Sequence, residues 1–152
     1  MVSDKKELHL KFAKECFNDV WNLLDKKERT KNEDAQMVRM AHASRYHWGE
    51  IGTPLEFARG DWQISRVYAV LGFGVMAFKY AKTSLEHCEN NEIGDFDLAF
   101  AYEALARASA VSGDIDKGRG YLVMTESAKD DIAKKDDRDY FLSELESVSE
   151  LL

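Results

Sequence analysis

Two stretches of this chain decide its fold: RGDWQISRVYAVLG, Arg59 to Gly72, and FAYEALARASAVSG, Phe100 to Gly113. At an offset of 41 residues Arg66 meets Arg107, Ala69-Val70 meets Ala110-Val111, and Gly72 meets Gly113. Each stretch spaces its apolar residues as a helix does and stops at glycine, the residue that most easily takes the left-handed turn closing a helix. A second helix soon follows each, with a small residue near its start, Ala77 in one and Gly118 in the other. Small residues let the two helices of a pair approach closely. Such a pair cannot bury its apolar face alone, so pairs stack. Ala35 lies 42 residues before Ala77, so a first, more diverged unit fits the same period.

Outward from this repeat, the pattern predicts seven helices in one domain over residues 1–152. Helix pairs are expected over about 4–50, 53–91 and 95–134, with a capping helix over about 137–151. Asn32 is the expected N-cap of the second helix. Thr53, Pro54 and Glu56 supply an N-cap, a proline at the first helical position and a capping-box glutamate for the third. The last helix carries Phe141, Leu145 and Val148 on one face and is expected to seal the array, with dimerisation through it the alternative. No segment alternates apolar and polar residues as a half-buried strand does.

Composition fits a globular chain, with 45% hydrophobic and 32% charged residues. The net charge of −7 argues against nucleic acid or an anionic membrane as partner. No apolar run reaches the roughly 18 residues of a membrane span. Cys16 and Cys88 stand far apart, and the charged N-terminus lacks the apolar core of a signal peptide. A cytoplasmic location with reduced thiols is the expectation.

The third unit, with Tyr102, Leu105, Ala106, Gly113-Asp114, Gly118 and Leu122, resembles the tetratricopeptide-repeat (TPR) family. The second unit adds Ile64, Ser65, Tyr68, Leu71-Gly72, Ala77 and Ala81. The departures are a period of 41 against about 34 in the family, Gly118 at a usual alanine, and no closing proline. The segments His47 to Tyr68 and Asp95 to Ala108 are also similar to bacterial TPR-like proteins, a likeness that brings no activity with it. The resemblance implies an all-α, right-handed array of antiparallel helix pairs whose first helices line a concave groove.

On a helical wheel, Leu55, Arg59, Trp62, Arg66 and Ala69 share a stripe opposite the core face formed by Phe57, Ile64, Val67, Tyr68 and Leu71. The repeat aligns Arg59, Trp62 and Arg66 with Phe100, Glu103 and Arg107, and in TPR proteins these positions face the groove. Arginine forks match carboxylates and phosphates, and the aromatic rings supply anchoring area. The candidate occupant is therefore a protein or peptide, one with acidic groups in particular, or a small anionic ligand. The competing reading is structural: Glu103 and Arg107, at i and i+4, pair with each other or with Arg66 and only hold helices together. His42 and Arg45 could extend the site from the second helix, or form the polar edge of an outer helix.

No catalytic constellation emerges. His42 and His47 point about 140° apart around their helix, which is wrong for a metal pair, and His87 and Cys88 are adjacent. There is no G-x-S-x-G elbow and no phosphate loop. The expectation is a binding module rather than an enzyme, with neither cofactor nor metal, acting as monomer or homodimer.

Overall fold

The computed structural model describes residues 2–152, with side chains from residue 4 onward. Met1, included in the expected domain, lies outside the described residues. Seven α-helices follow one another: α1 Val2–Leu24, α2 Lys31–Ile51, α3 Pro54–Val70, α4 Gly74–Asn90, α5 Asp95–Val111, α6 Ile115–Ala128 and α7 Lys135–Ser149. A short 3-10 turn, Lys129–Asp131, follows α6. No strand occurs among the described residues.

The stops follow the glycines. Gly72 has φ +85° and Gly113 has φ +82°, both in the left-handed region. Each is followed by the same pair of closing hydrogen bonds. Phe73 N donates to Tyr68 O at 2.8 Å and Gly72 N to Ala69 O at 3.1 Å; Asp114 N donates to Ser109 O at 2.9 Å and Gly113 N to Ala110 O at 3.0 Å. The repeat is thus written into the backbone as well as the sequence. The starts differ more from expectation. The cap of α2 is Thr30, not Asn32: Glu33 N donates to Thr30 Oγ1 at 3.1 Å while Thr30 N donates to Glu33 Oε1 at 3.0 Å. This reciprocal box satisfies two helix-end donors, which Asn32 alone could not do. At α3, Thr53 and Pro54 stand as expected, but the Thr53 hydroxyl donates to Glu56 Oε2 at 2.5 Å and caps no backbone N–H.

Helices pack as α1 with α2, α3 with α4 and α5 with α6, and each second helix also packs on the first helix of the next pair. The odd-numbered helices touch their neighbours in a row, α1 to α3 to α5 to α7, whereas the backbones of α2, α4 and α6 do not meet. An inner row and a splayed outer row result. Alanine makes the close approach possible: Ala77, Ala81, Ala104 and Ala108 are buried between α4 and α5. Gly74 lets the start of α4 lie against the end of α5; a Cβ there would sit 2.7 Å from Ser112 N.

The first unit uses a different register from the one suggested by Ala35. Ala35 is exposed, and Met37 takes the buried place that Ala77 and Gly118 hold in the later units. Buried hydroxyls fix this register. Ser44 Oγ donates to Ala13 O and Ser84 Oγ to Ala58 O, both at 2.8 Å, so Ala13 on α1 corresponds to Ala58 on α3. The longer link between α1 and α2 and the longer first part of α2 absorb the difference in spacing.

The same period continues into α7. Glu144 lies 41 residues beyond Glu103, and Phe141 stands in the same relation to Phe100. α7 is therefore a fourth member of the inner row, packed on α5 through buried Phe141, Leu145 and Val148. Where α3 and α5 bury Ile64 and Leu105, α7 carries the exposed Glu146. Among the described residues no helix is long and apolar enough to cross a membrane.

Candidate functional site

The six residues aligned across α3 and α5 do come together, along the inner row. Trp62 and Phe100 meet edge to face, with ring centroids 5.6 Å apart. Arg66 and Arg107 flank Glu103, which is fully buried. Arg66 Nη2 lies 3.3 Å and Arg107 Nη2 2.7 Å from its carboxylate. Glu144 on α7 closes the ring, 3.1 Å from Arg66 Nη1 and 3.2 Å from Arg107 Nη2. Arg107 also donates to Ser147 Oγ at 2.8 Å. Two guanidiniums and two carboxylates thus form a neutral square that bolts α3, α5 and α7 together. Burial opposes the charge on Arg66, but Glu103 and Glu144 outweigh it and hold its pKa above the ordinary value. Arg59 is spoken for as well: its fork grips Asp97, Nε to Oδ1 at 2.9 Å and Nη2 to Oδ2 at 3.2 Å.

His42 and Arg45 lie elsewhere. α2 is an outer helix, and these two side chains reach residues of α3 and α4 on the side away from the hollow. His42 Nε2 is 2.8 Å from the Tyr68 hydroxyl, and its ring meets Tyr80 edge-on. Arg45 crosses Gly60, donates to Asp61 Oδ1 at 3.0 Å and stacks over Phe57. Asp61 is 3% exposed, and its second oxygen lies 3.2 Å from His87 Nε2, out of line for a hydrogen bond. Burial raises the Asp61 pKa, against the pull of Arg45 and His87. These groups tie α2, α3 and α4 together, and neither His42 nor Arg45 borders the hollow described next.

Beside the charged square, the inner row opens into a hollow of about 360 Å³. Its walls are aromatic: Phe17 and Trp21 from α1, Trp62 from α3, Phe96 and Phe100 from α5, and Tyr140 from α7. Trp21 and Trp62 lie 5.7 Å apart, and Tyr140 stacks on Phe100 at 5.6 Å. Burial, with Glu144 next, raises the Tyr140 pKa and keeps its hydroxyl protonated. Arg59, Asp97 and Asp137 stand among the rings. The Trp62 indole N–H is buried without an acceptor. Past Phe17 and Arg59, which border both, a second hollow of about 460 Å³ continues toward Trp48 and Leu55. Together these adjoining hollows make up the candidate groove.

The sequence reading found Arg59, Trp62 and Phe100 of this groove. It missed Phe17 and Trp21, because α1 carries little of the repeat pattern. It also missed Asp97 and Glu144, although a step of 41 residues from Glu103 leads to Glu144. Among the described residues no cluster of three or more histidine, cysteine, aspartate or glutamate side chains could hold a metal ion. Comparison of the chain with protein-family models, with curated proteins and with solved structures finds no match in any of the three.

Proposed function

We propose that this chain is a protein- or peptide-binding module, a right-handed TPR-like array that takes an extended segment along the groove of its inner row. The observation that carries this reading is the aromatic-walled hollow with a second one adjoining it across Phe17 and Arg59. An open trough with rigid aromatic anchors suits a peptide, since aromatic rings provide large contact area at little entropic cost. The groove holds no nucleophile and base in contact, so binding rather than catalysis is the reading we adopt, in the cytoplasm. A small-ligand regulatory domain is the second reading, favoured by the first hollow, whose size falls in the usual range for small-molecule sites.

We do not carry forward the expectation of an acidic occupant. That expectation needed free guanidiniums, and all three are engaged by carboxylates of the chain itself. The test is affinity capture from a native lysate with wild type beside Trp21→Ala and Tyr140→Ala variants of unchanged melting temperature. A partner recovered by wild type and lost by both variants supports the groove. Equal recovery by all three refutes it.

A further inference from the structure

We infer that the aromatic hollow takes a basic side chain, a lysine or arginine of the bound peptide; this rests on the groove being the binding site. Charge is the first reason. One guanidinium, Arg59, faces two carboxylates, Asp97 and Asp137, in the hollow. Asp97 is held two-pronged by Arg59. Asp137 has no ion pair among the described residues, and it lies close enough to Arg59 to help raise that group's pKa. The charged square next door is neutral, so nothing offsets the surplus carboxylate.

The walls are the second reason. A cation over an aromatic face is attracted by the ring's negative π cloud, most strongly for tryptophan. The protein already makes this contact four times with its own cations: Arg66 lies 5.1 Å from the Trp62 ring, Arg45 4.5 Å from Phe57, Lys117 3.9 Å from Phe78 and Lys79 5.6 Å from Tyr80. A long basic side chain entering between Trp21 and Tyr140 lays its methylenes on the rings and brings its charge to Asp137. An acidic side chain would meet two carboxylates and an arginine already engaged. The overall charge of −7 steers a basic segment toward the molecule.

The experiment is selection of a phage-displayed random twelve-residue peptide library on the full chain, with binding of the enriched synthetic peptides measured on four proteins. These are wild type, Asp137→Lys in the hollow, Trp21→Ala in its wall, and Glu126→Lys on the exposed face of α6. Circular dichroism verifies that each variant folds, and Tyr140→Ala replaces Trp21→Ala if that variant does not. The enriched peptides are expected to share a lysine or arginine whose replacement by norleucine weakens binding about tenfold or more. Asp137→Lys and the wall variant are expected to lose binding by a similar factor, and Glu126→Lys to keep it. Enriched peptides with no common basic residue, or full binding by Asp137→Lys, overturn the inference. If those peptides are still lost on the wall variant, the groove stands as the site and only the choice of a cation falls. If the wall variant also binds them, or the library yields no binder, the groove reading falls with it.

Discussion

Replacing Glu103 by glutamine removes one charge from the square and changes almost nothing in volume. Two guanidiniums then face a single carboxylate, that of Glu144. The Glu103 side chain is 1% exposed, and those of Arg66 and Arg107 are 10% and 13% exposed, so water cannot screen the surplus charge. Breaking a buried pair of this kind costs about 3–5 kcal/mol. Domains of this size stand about 5–15 kcal/mol above the unfolded state, so the loss is a large fraction of the total. At about 2–4 °C per kcal/mol, the melting temperature falls by roughly 6–20 °C. Urea unfolding followed by circular dichroism measures the cost directly. The double variant Glu103→Gln/Arg107→Gln restores neutrality, so its loss should fall short of the sum of the single losses by about 1–3 kcal/mol. The effect should also persist at high salt, unlike that of the exposed Lys26–Glu33 pair. A Glu103→Gln cost below about 1 kcal/mol, with additivity in the double variant, would refute the claim that these charges bolt α3, α5 and α7.

Cys88 is 1% exposed, and burial, with Asp97 and Glu89, pushes its thiol pKa up to about 11. A thiol reagent near neutral pH should label half-buried Cys16 first and Cys88 only at the rate of unfolding, as mass spectrometry of the labelled peptides would show. Gly74→Ala presses a methyl group against the Ser112 backbone and should cost about 1–3 kcal/mol. Gly118→Ala meets only the flexible end of Leu152, so its gain in helix propensity should leave stability within about 1 kcal/mol of wild type. Chemical denaturation of the two variants separates these cases. Burial, together with Lys79 and against the pull of Asp61, lowers the His42 pKa below 6.5. Below that value the unfolded chain takes up the proton first, so His42 removes stability as pH falls from 6.5 toward its folded pKa. His42→Gln should therefore lose less stability than wild type between about pH 7 and pH 5, measured by urea midpoints.

The repeat was legible because two different constraints fall on the same positions. Gly72 and Gly113 must turn left-handed, and Arg66 and Arg107 must face the same side of successive inner helices. The helix wheel and the repeat alignment together put Trp62 and Phe100 on one surface. The spacing offered the pairing of Glu103 with Arg107 and Arg66, but not the partners on other helices, Asp97 for Arg59 and Glu144 for Arg66 and Arg107. Glu144 lay on a helix read only for its apolar face, so its place in the 41-residue series passed unnoticed. The register of the first unit was missed for a related reason. Met37 fills the position where small residues stand in the other units, and the eye follows Ala35 instead. The cap of α2 shows two local signals in competition. Asn32 is a good cap by type, but Thr30 with Glu33 three residues later satisfies two donors at once. His42 and Arg45 were drawn toward the groove because their polarity suggested function. The structure gives that polarity a tying role among α2, α3 and α4.

The central claim is that a partner lies along the inner row. Hydrogen–deuterium exchange of the chain, alone and with its captured partner, tests this most directly. The account predicts added protection around Phe17 to Trp21, along the first half of α3, and at the first turns of α5 and α7. Protection confined to α2, α4 and α6, with the inner row unchanged, would contradict it.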